Sequence, residues 1–172
     1  YKLVMNAIGL ALQIRSEVNS HPLISKYFHI LTPEEMVPKE FRASGIKDYG
    51  PPNANWKEVL DAWDNDEFAL DPTRLTLVCG TAGYDGTAFK GLLAEKYDIQ
   101  LNKTSRNSVL IQTNINNTRS DAAQLIKVLA DISREIEKNL AQGGKEAKAA
   151  FAARVKSLMT DVPDLPNFSR FH

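Results

Sequence analysis

The chain has 172 residues, about one domain's worth, and 43% of them are hydrophobic, enough to build a packed core and too many for wholesale disorder. Lysine plus arginine number 21 and aspartate plus glutamate number 21, a balance that argues against a dedicated nucleic-acid binder. Cys79 is the single cysteine, so neither an intrachain disulfide nor a cysteine metal cage can form, which fits a reducing compartment; no apolar run is long enough to span a bilayer.

The first residues enter an apolar run at once: Leu3, Val4, Met5, Ala7, Ile8, Leu10, Ala11, Leu12 and Ile14. Arg15 and Glu17 stand where a signal peptide needs small residues, and no capping side chain precedes the run. The segment Tyr1 to Asn19 therefore reads as a buried helix cut in its middle, and the chain as a piece of something longer. Ser20-His21-Pro22 ends that helix, because the residue before a proline avoids the helical region.

From His21 to about Asn55 the prolines and glycines predict an irregular connector that wraps over a surface. One helical turn is expected at Thr32-Pro33-Glu34-Glu35, with proline at the first helical position. A short helix follows, with Trp56, Leu60 and Trp63 on one packed side. Thr73 to Cys79 reads as a strand ending at Gly80, and Asp85 or Thr87 caps a helix bearing Phe89, Leu92, Leu93 and Tyr97. Ile99 and Leu101 alternate with polar residues in a second predicted strand, and Val109 to Ile115 in a third, with a hairpin at Ser105-Arg106-Asn107. Thr118 and Asp121 form a capping pair for a long helix striped by Ala122, Leu125, Ile126, Leu129, Ile132 and Ile136. Gly143-Gly144 ends it, and a last helix from Lys145 to Met159 stops before Pro163 and Pro166.

This order predicts an α+β fold: a small, mainly antiparallel sheet covered on one face by helices, with a long N-terminal linking helix. Three parts are expected: residues 1–72 as interdomain helix and connector, 73–141 as a small domain, and 142–172 as the start of a further domain or a docking tail carrying Leu165, Phe168 and Phe171.

The residues that could carry chemistry are few. Gly80 to Thr87 is a glycine-rich turn between strand and helix; it lacks the Lys-Ser/Thr ending of a phosphate loop, and backbone geometry is the preferred explanation over anion binding. His21, His29 and His172 have no second ligand at metal spacing, so no metal site is expected. Lys90, Lys96 and Lys103 can each be considered as a Schiff-base lysine, but Lys90 and Lys96 occupy helix positions expected to be solvated, and none has a clearly apolar setting. Cys79 reads as a small buried residue. The polar stretch Asn102-Lys103-Thr104, with Ser105 to Ser108, suits a substrate edge and a solvated hairpin equally well.

Two blocks resemble a known family. Glu67 to Leu77, with Leu70-Asp71-Pro72-Thr73-Arg74, is similar to the Leu-Asp-Pro-Thr segment of bacterial ornithine/lysine/arginine decarboxylases. Asp98 to Ile111, followed by Thr118, resembles that family's next signature, in which Glu-Lys-Thr corresponds to Asn102-Lys103-Thr104. Val162 to Pro166 looks similar to the opening of the family's C-terminal domain. The resemblance implies the small domain of an aminotransferase-like enzyme. In such enzymes pyridoxal phosphate sits on a lysine of a separate large domain and acts as an electron sink. The family's Ser-x-His-Lys motif does not occur in this sequence, so the resemblance assigns no catalytic residue here. It implies Asn102, Lys103 and Thr104 as substrate-binding candidates, although an amide at 102 gives up the charge that a carboxylate offers a distal cation. It also implies a missing cofactor-binding large domain as partner, an amino-acid substrate, a homodimer or higher oligomer, and a cytoplasmic setting without nucleic acid or membrane. The alternative is a non-enzymatic small-molecule-sensing or regulatory α+β module. The enzyme reading expects a large exposed apolar surface on the first helix; the module expects a self-contained domain with its own ligand site.

Overall fold

A computed structural model describes residues 1–49 and 56–162, with side chains from Val59 onward in the second part. The expectations for Pro51, Pro52, the Trp56 side chain, Pro163, Leu165, Pro166, Phe168, Phe171 and His172 lie outside the described residues.

Helix α1 (Lys2–Ser20) ends where the sequence expects. His21 is extended, and its Nδ1 accepts from the backbone N–H groups of Leu23 and Ile24. From Ala7 onward the helix is buried through Ile8, Leu10, Ala11, Ile14, Arg15 and Val18. Only Tyr1, Leu3 and Val4 expose large apolar surface at its start.

The connector is more ordered than its prolines suggest. Asn19 meets the backbone of Ile30 in both directions, Nδ2 donating to its carbonyl at 2.9 Å and Oδ1 accepting from its N–H at 2.8 Å. That clamp holds the chain extended as β1 (His29–Ile30), a strand the sequence pattern misses. The expected turn is α2 (Pro33–Met36), with a complete Thr32–Glu35 capping box. Buried Arg42 donates to the carbonyls of Val37 and Ile46 and ties the connector to itself. Helix α3 (Trp56–Asn65) departs from expectation. Val59 and Ala62 face a small core with Tyr49, while Leu60 and Trp63 are each 44% exposed. The buried stripe is thus one residue off, because small side chains fit against Tyr49 and the Trp63 indole lies near the Leu70 carbonyl instead.

The α+β architecture is as expected. Strands β2 (Arg74–Val78), β3 (Lys103–Thr104) and β4 (Ser108–Gln112) join β1 in a four-stranded sheet of order β1-β2-β4-β3, antiparallel throughout. Leu75, Leu77, Val109, Ile111 and Ile30 face one side, where they share a core with Leu10, Ile14 and Val18 of α1, Phe89 and Leu93 of α4 (Gly86–Tyr97), and Leu125, Leu129 and Ile132 of α5 (Arg119–Gln142). The period of two decides which residues these are. Helix α1 and the sheet therefore share one hydrophobic core. Helix α6 (Gly144–Met159) opens on Gly144, whose φ of 63° is left-handed, and packs on α5 and on the 3-10 turn Gly80–Ala82.

The expected second strand is displaced. Asp98 ends α4 in the left-handed region (φ 55°), and the Asp98 and Ile99 N–H groups return to the Leu93 carbonyl. Ile99 and Leu101 then pack back on the core beneath the helix end, a common companion of such a cap, and pairing starts only at Lys103. Their alternation came from wrapping around a helix end, not from a ladder. The third strand is also shorter than expected. Asn114 and Asn117 form side-chain turns that stop it, leaving Ile115 half-exposed. Thr118 and Asp121 form the expected capping box.

Candidate functional site

The candidate trio sits at the sheet edge. Lys103 lies opposite Leu110 and Thr104 opposite Val109, so their side chains leave opposite faces of the sheet. Lys103 shares the face turned away from α1, α4 and α5 with Arg74, Thr76, Leu110 and Gln112, all exposed or half-buried, while farther along that face Val78 is buried and His29 pairs with Glu35 of α2. Thr104 belongs to the other side, where it borders a hollow near the start of α4 with Asp85, Arg106 and Arg154. Asn102 donates from Nδ2 to Gln112 Oε1 at 3.0 Å. The structure thus brings Asn102 to Gln112 but does not gather all three residues around one cavity.

The Asp71-Pro72-Thr73-Arg74 block is a turn that launches β2. Asp71 Oδ1 accepts from the Thr73 N–H at 2.9 Å and its hydroxyl at 2.7 Å, and the Arg74 N–H returns to the Asp71 carbonyl. The short side chain competes with regular structure for the backbone, so the strand can begin only after it.

The glycine-rich turn is explained by packing. Gly83 has φ +81°, and a Cβ on Gly80 would lie 2.5 Å from Met159 Sδ and 2.8 Å from Asn107 Cβ. The Asp85 carboxylate accepts from the Ala88 N–H and pairs with Arg154 at 3.1 Å. An acid already occupies the helix start that an anion would use.

A cleft of about 350 Å³ opens between α1, the α4–β3 connection, the end of β4 and the start of α5. Its floor includes the buried Leu10, Ile14, Ile111 and Leu125, and its rim carries Asp98, Gln100, Gln112, Thr118, Asp121 and Gln124. The hydrogen bonds from the Thr118 backbone and hydroxyl hold the Asp121 carboxyl below its ordinary range. Gln112 joins this cleft to Asn102. The sequence reading missed the site, since Leu10 and Leu125 look like ordinary helix stripes; the capping pair was the only visible pointer.

Arg15, 1% exposed, is the other residue not foreseen. Its guanidinium donates to the Leu31 carbonyl at 2.5 Å and stands 5.9 Å from the Tyr49 ring centre. Arg15 Nε and Asp48 Oδ1 are both buried without a hydrogen-bond partner among the described residues. Burial lowers the Arg15 pKa from its ordinary value, opposed by the negative field of Asp48.

The lysines do not suit a covalent cofactor link. Such a lysine needs a desolvated setting. Lys90 is only partly buried, Lys96 is exposed and pairs with Glu135 at 3.3 Å, and Lys103 is exposed. Every other described lysine side chain is exposed as well. No step through pyridoxal phosphate is assigned to these residues. His29 pairs with Glu35 at 2.7 Å, and no cluster of three metal-ligating side chains occurs among the described residues. No described helix is long and apolar enough to cross a membrane.

No protein-family description matches the sequence, and no curated protein matches it.

Proposed function

We propose that this chain is part of a pyridoxal-phosphate-dependent decarboxylase of basic amino acids and forms the small domain beside the active site. In this reading the cofactor-bearing lysine belongs to a large domain outside this sequence. The protein works as a cytoplasmic homodimer or larger assembly, and the isolated chain has no activity. The observation that carries the reading is the position of the family-like blocks. The Asp71–Arg74 turn launches a central strand, and Lys103 stands on the face of the same sheet turned away from α1, α4 and α5. The part of that face around Lys103, Arg74 and Gln112 is exposed, and in this reading it looks onto a substrate held by another body. The neutral Asn102, engaged with Gln112, leaves the choice among lysine, ornithine and arginine open to residues elsewhere.

The parent polypeptide, purified with pyridoxal phosphate, is expected to release CO2 from at least one of these three amino acids. Failure on all three would sink the reading. In parallel, borohydride reduction of this chain with the cofactor, followed by peptide mass spectrometry, is expected to give no stoichiometric pyridoxyl-lysine. Such a product would relocate the chemistry into this chain.

One observation favours the second reading, a small-molecule-sensing module. The apolar exposure of α1 is confined to its first turn, the rest of the helix lies in the chain's own core, and a cleft of ligand size opens beside it. A module of this kind binds a small molecule and releases no CO2 in any context.

A further inference from the structure

We propose that the cleft between α1, the α4–β3 connection and the start of α5 is a binding site for a small organic cation with an aliphatic stem, the class of a linear alkylamine. The proposal is independent of the decarboxylase reading.

Three features point to that chemistry. First, the size is right: about 350 Å³ lies within the range of small-molecule sites, roughly 300–1,000 Å³. Second, the floor is apolar. Leu10, Ile14, Ile111 and Leu125 belong to the core and line the opening with only 4–7% of their surface exposed, so an aliphatic stem meets an apolar wall there and gains modestly by covering it. Third, the charge has one sign. Asp98 and Asp121 line the cleft, and no lysine, arginine or histidine does so among the described residues.

The neighbouring charges do not reverse this field. The start of α5 contributes about half a positive charge and the end of α4 about half a negative one, so the two helix ends offset each other. Asp121 is engaged with its cap but keeps its charge. Asp98 is exposed and makes no ion pair among the described residues. Lys96 is the cation beside Tyr97, a lining residue, and it pairs with Glu135. Arg119 faces a separate hollow along α1 and α5. Lys90 lies outside the lining, its ammonium 3.5 Å from the Asn102 carbonyl, so a carboxylate ligand would meet two acids and no counter-charge in the lining, whereas an ammonium group finds both acids and the amide oxygens of Gln100, Gln112 and Gln124.

The test is an amide-resolved NMR titration of the full chain with n-pentylamine, pentanoate and pentanol at fixed ionic strength. Saturable shifts are expected with pentylamine at Asp98, Gln100, Thr113 and Gln124, and none there with pentanoate. Asp98→Asn keeps a residue type that tolerates the left-handed conformation. It is expected to weaken pentylamine by about three- to fivefold, the size of an exposed ion pair. Gln124→Trp, at an exposed helix position, is expected to block the cleft and abolish the shifts. Equal binding of pentanoate and pentylamine, unchanged affinity in Asp98→Asn, or shifts confined to another surface would each overturn the proposal. An amine site in a parent without decarboxylase activity would leave this inference standing and remove the other.

Discussion

Gly86 and Gly91 lie on one helix and should respond to alanine with opposite signs. Helix propensity alone favours alanine over glycine by roughly 0.5–1 kcal/mol in a helix interior, where Gly91 sits, and by less at Gly86, the first residue of α4. At Gly91 nothing lies within 4 Å of the added Cβ, so that gain should appear in full. At Gly86 the Cβ would lie 2.6 Å from the Ser108 carbonyl oxygen and closer still to that of Ser105. Even a close C–H···O contact needs about 3.3 Å, so the hairpin backbone must retreat by well over half an ångström. It is held there by the Ser105 N–H on the Ser108 carbonyl at 2.8 Å and by the Cys79 and Gly80 N–H groups on the Asn107 carbonyl at 2.9 Å. Overpacking costs about 1–3 kcal/mol, and a hydrogen bond weakened by the retreat about 1 kcal/mol more. Gly86→Ala should therefore destabilise by about 2–3 kcal/mol, while Gly91→Ala stabilises by roughly 0.5–1 kcal/mol. Urea unfolding with a shared slope reads both; in heat, each kcal/mol should move the midpoint by about 2–4 °C. Equal midpoints for the two variants would refute the close approach of α4 to the hairpin and the packing account of the glycine-rich turn.

Three further expectations follow from the same geometry. Burial pushes the Cys79 thiol up to about 12, so at pH 8 a disulfide reagent should label it only in denaturant; rapid labelling of the folded chain would contradict its place in the core. Thr118→Ala removes the cap of α5 and should cost about 1 kcal/mol in urea unfolding, with Thr118→Ser retaining most of the stability. At Glu35 desolvation alone would raise the carboxyl, but the Thr32 N–H and the His29 ring outweigh it and hold the group below its ordinary value of 4.5. A depressed carboxylate contributes stability that is complete above its unfolded pKa and is lost as pH falls through the folded one. Unfolding midpoints should therefore drop below about pH 4.5, and Glu35→Gln should make that drop shallower; an unchanged profile would show that the His29–Glu35–Thr32 cluster contributes nothing.

Much of this fold was legible because local and tertiary signals agree. Thr32–Glu35, Asp85 and Thr118–Asp121 are side-chain caps whose partners lie within three residues, so sequence spacing alone identifies them. Leu75, Leu77, Val109 and Ile111 obey the period of two and lie on the covered face. The failures share one cause, which is dependence on distant atoms. β1 exists because Asn19 clamps Ile30 across eleven residues. Ile99 and Leu101 alternate like a strand but answer to the end of α4. In α3 the choice of Val59 and Ala62 over Leu60 and Trp63 is made by Tyr49, which no periodicity reports. The cleft was invisible for the same reason, since its lining comes from α1, α4, β4 and α5 and runs from Leu10 to Leu125 in sequence.

The position of α1 bears on both functional readings. A helix that only linked two bodies would keep a broad apolar face for the second body. Here Ala7 to Val18 instead pack against the sheet and α5, and the Ala7 carbonyl accepts from the buried Thr113 hydroxyl at 2.9 Å. What α1 leaves for a partner is its first turn, Tyr1, Leu3 and Val4, and the sheet adds the exposed patch that carries Lys103. A large domain docking on this chain would thus be expected to cover a sheet face and a helix start, not the length of α1. The cleft lies between α1 and α5, and Gln112 on its rim belongs to the sheet face that carries Lys103, so a body docked on that face would border the cleft.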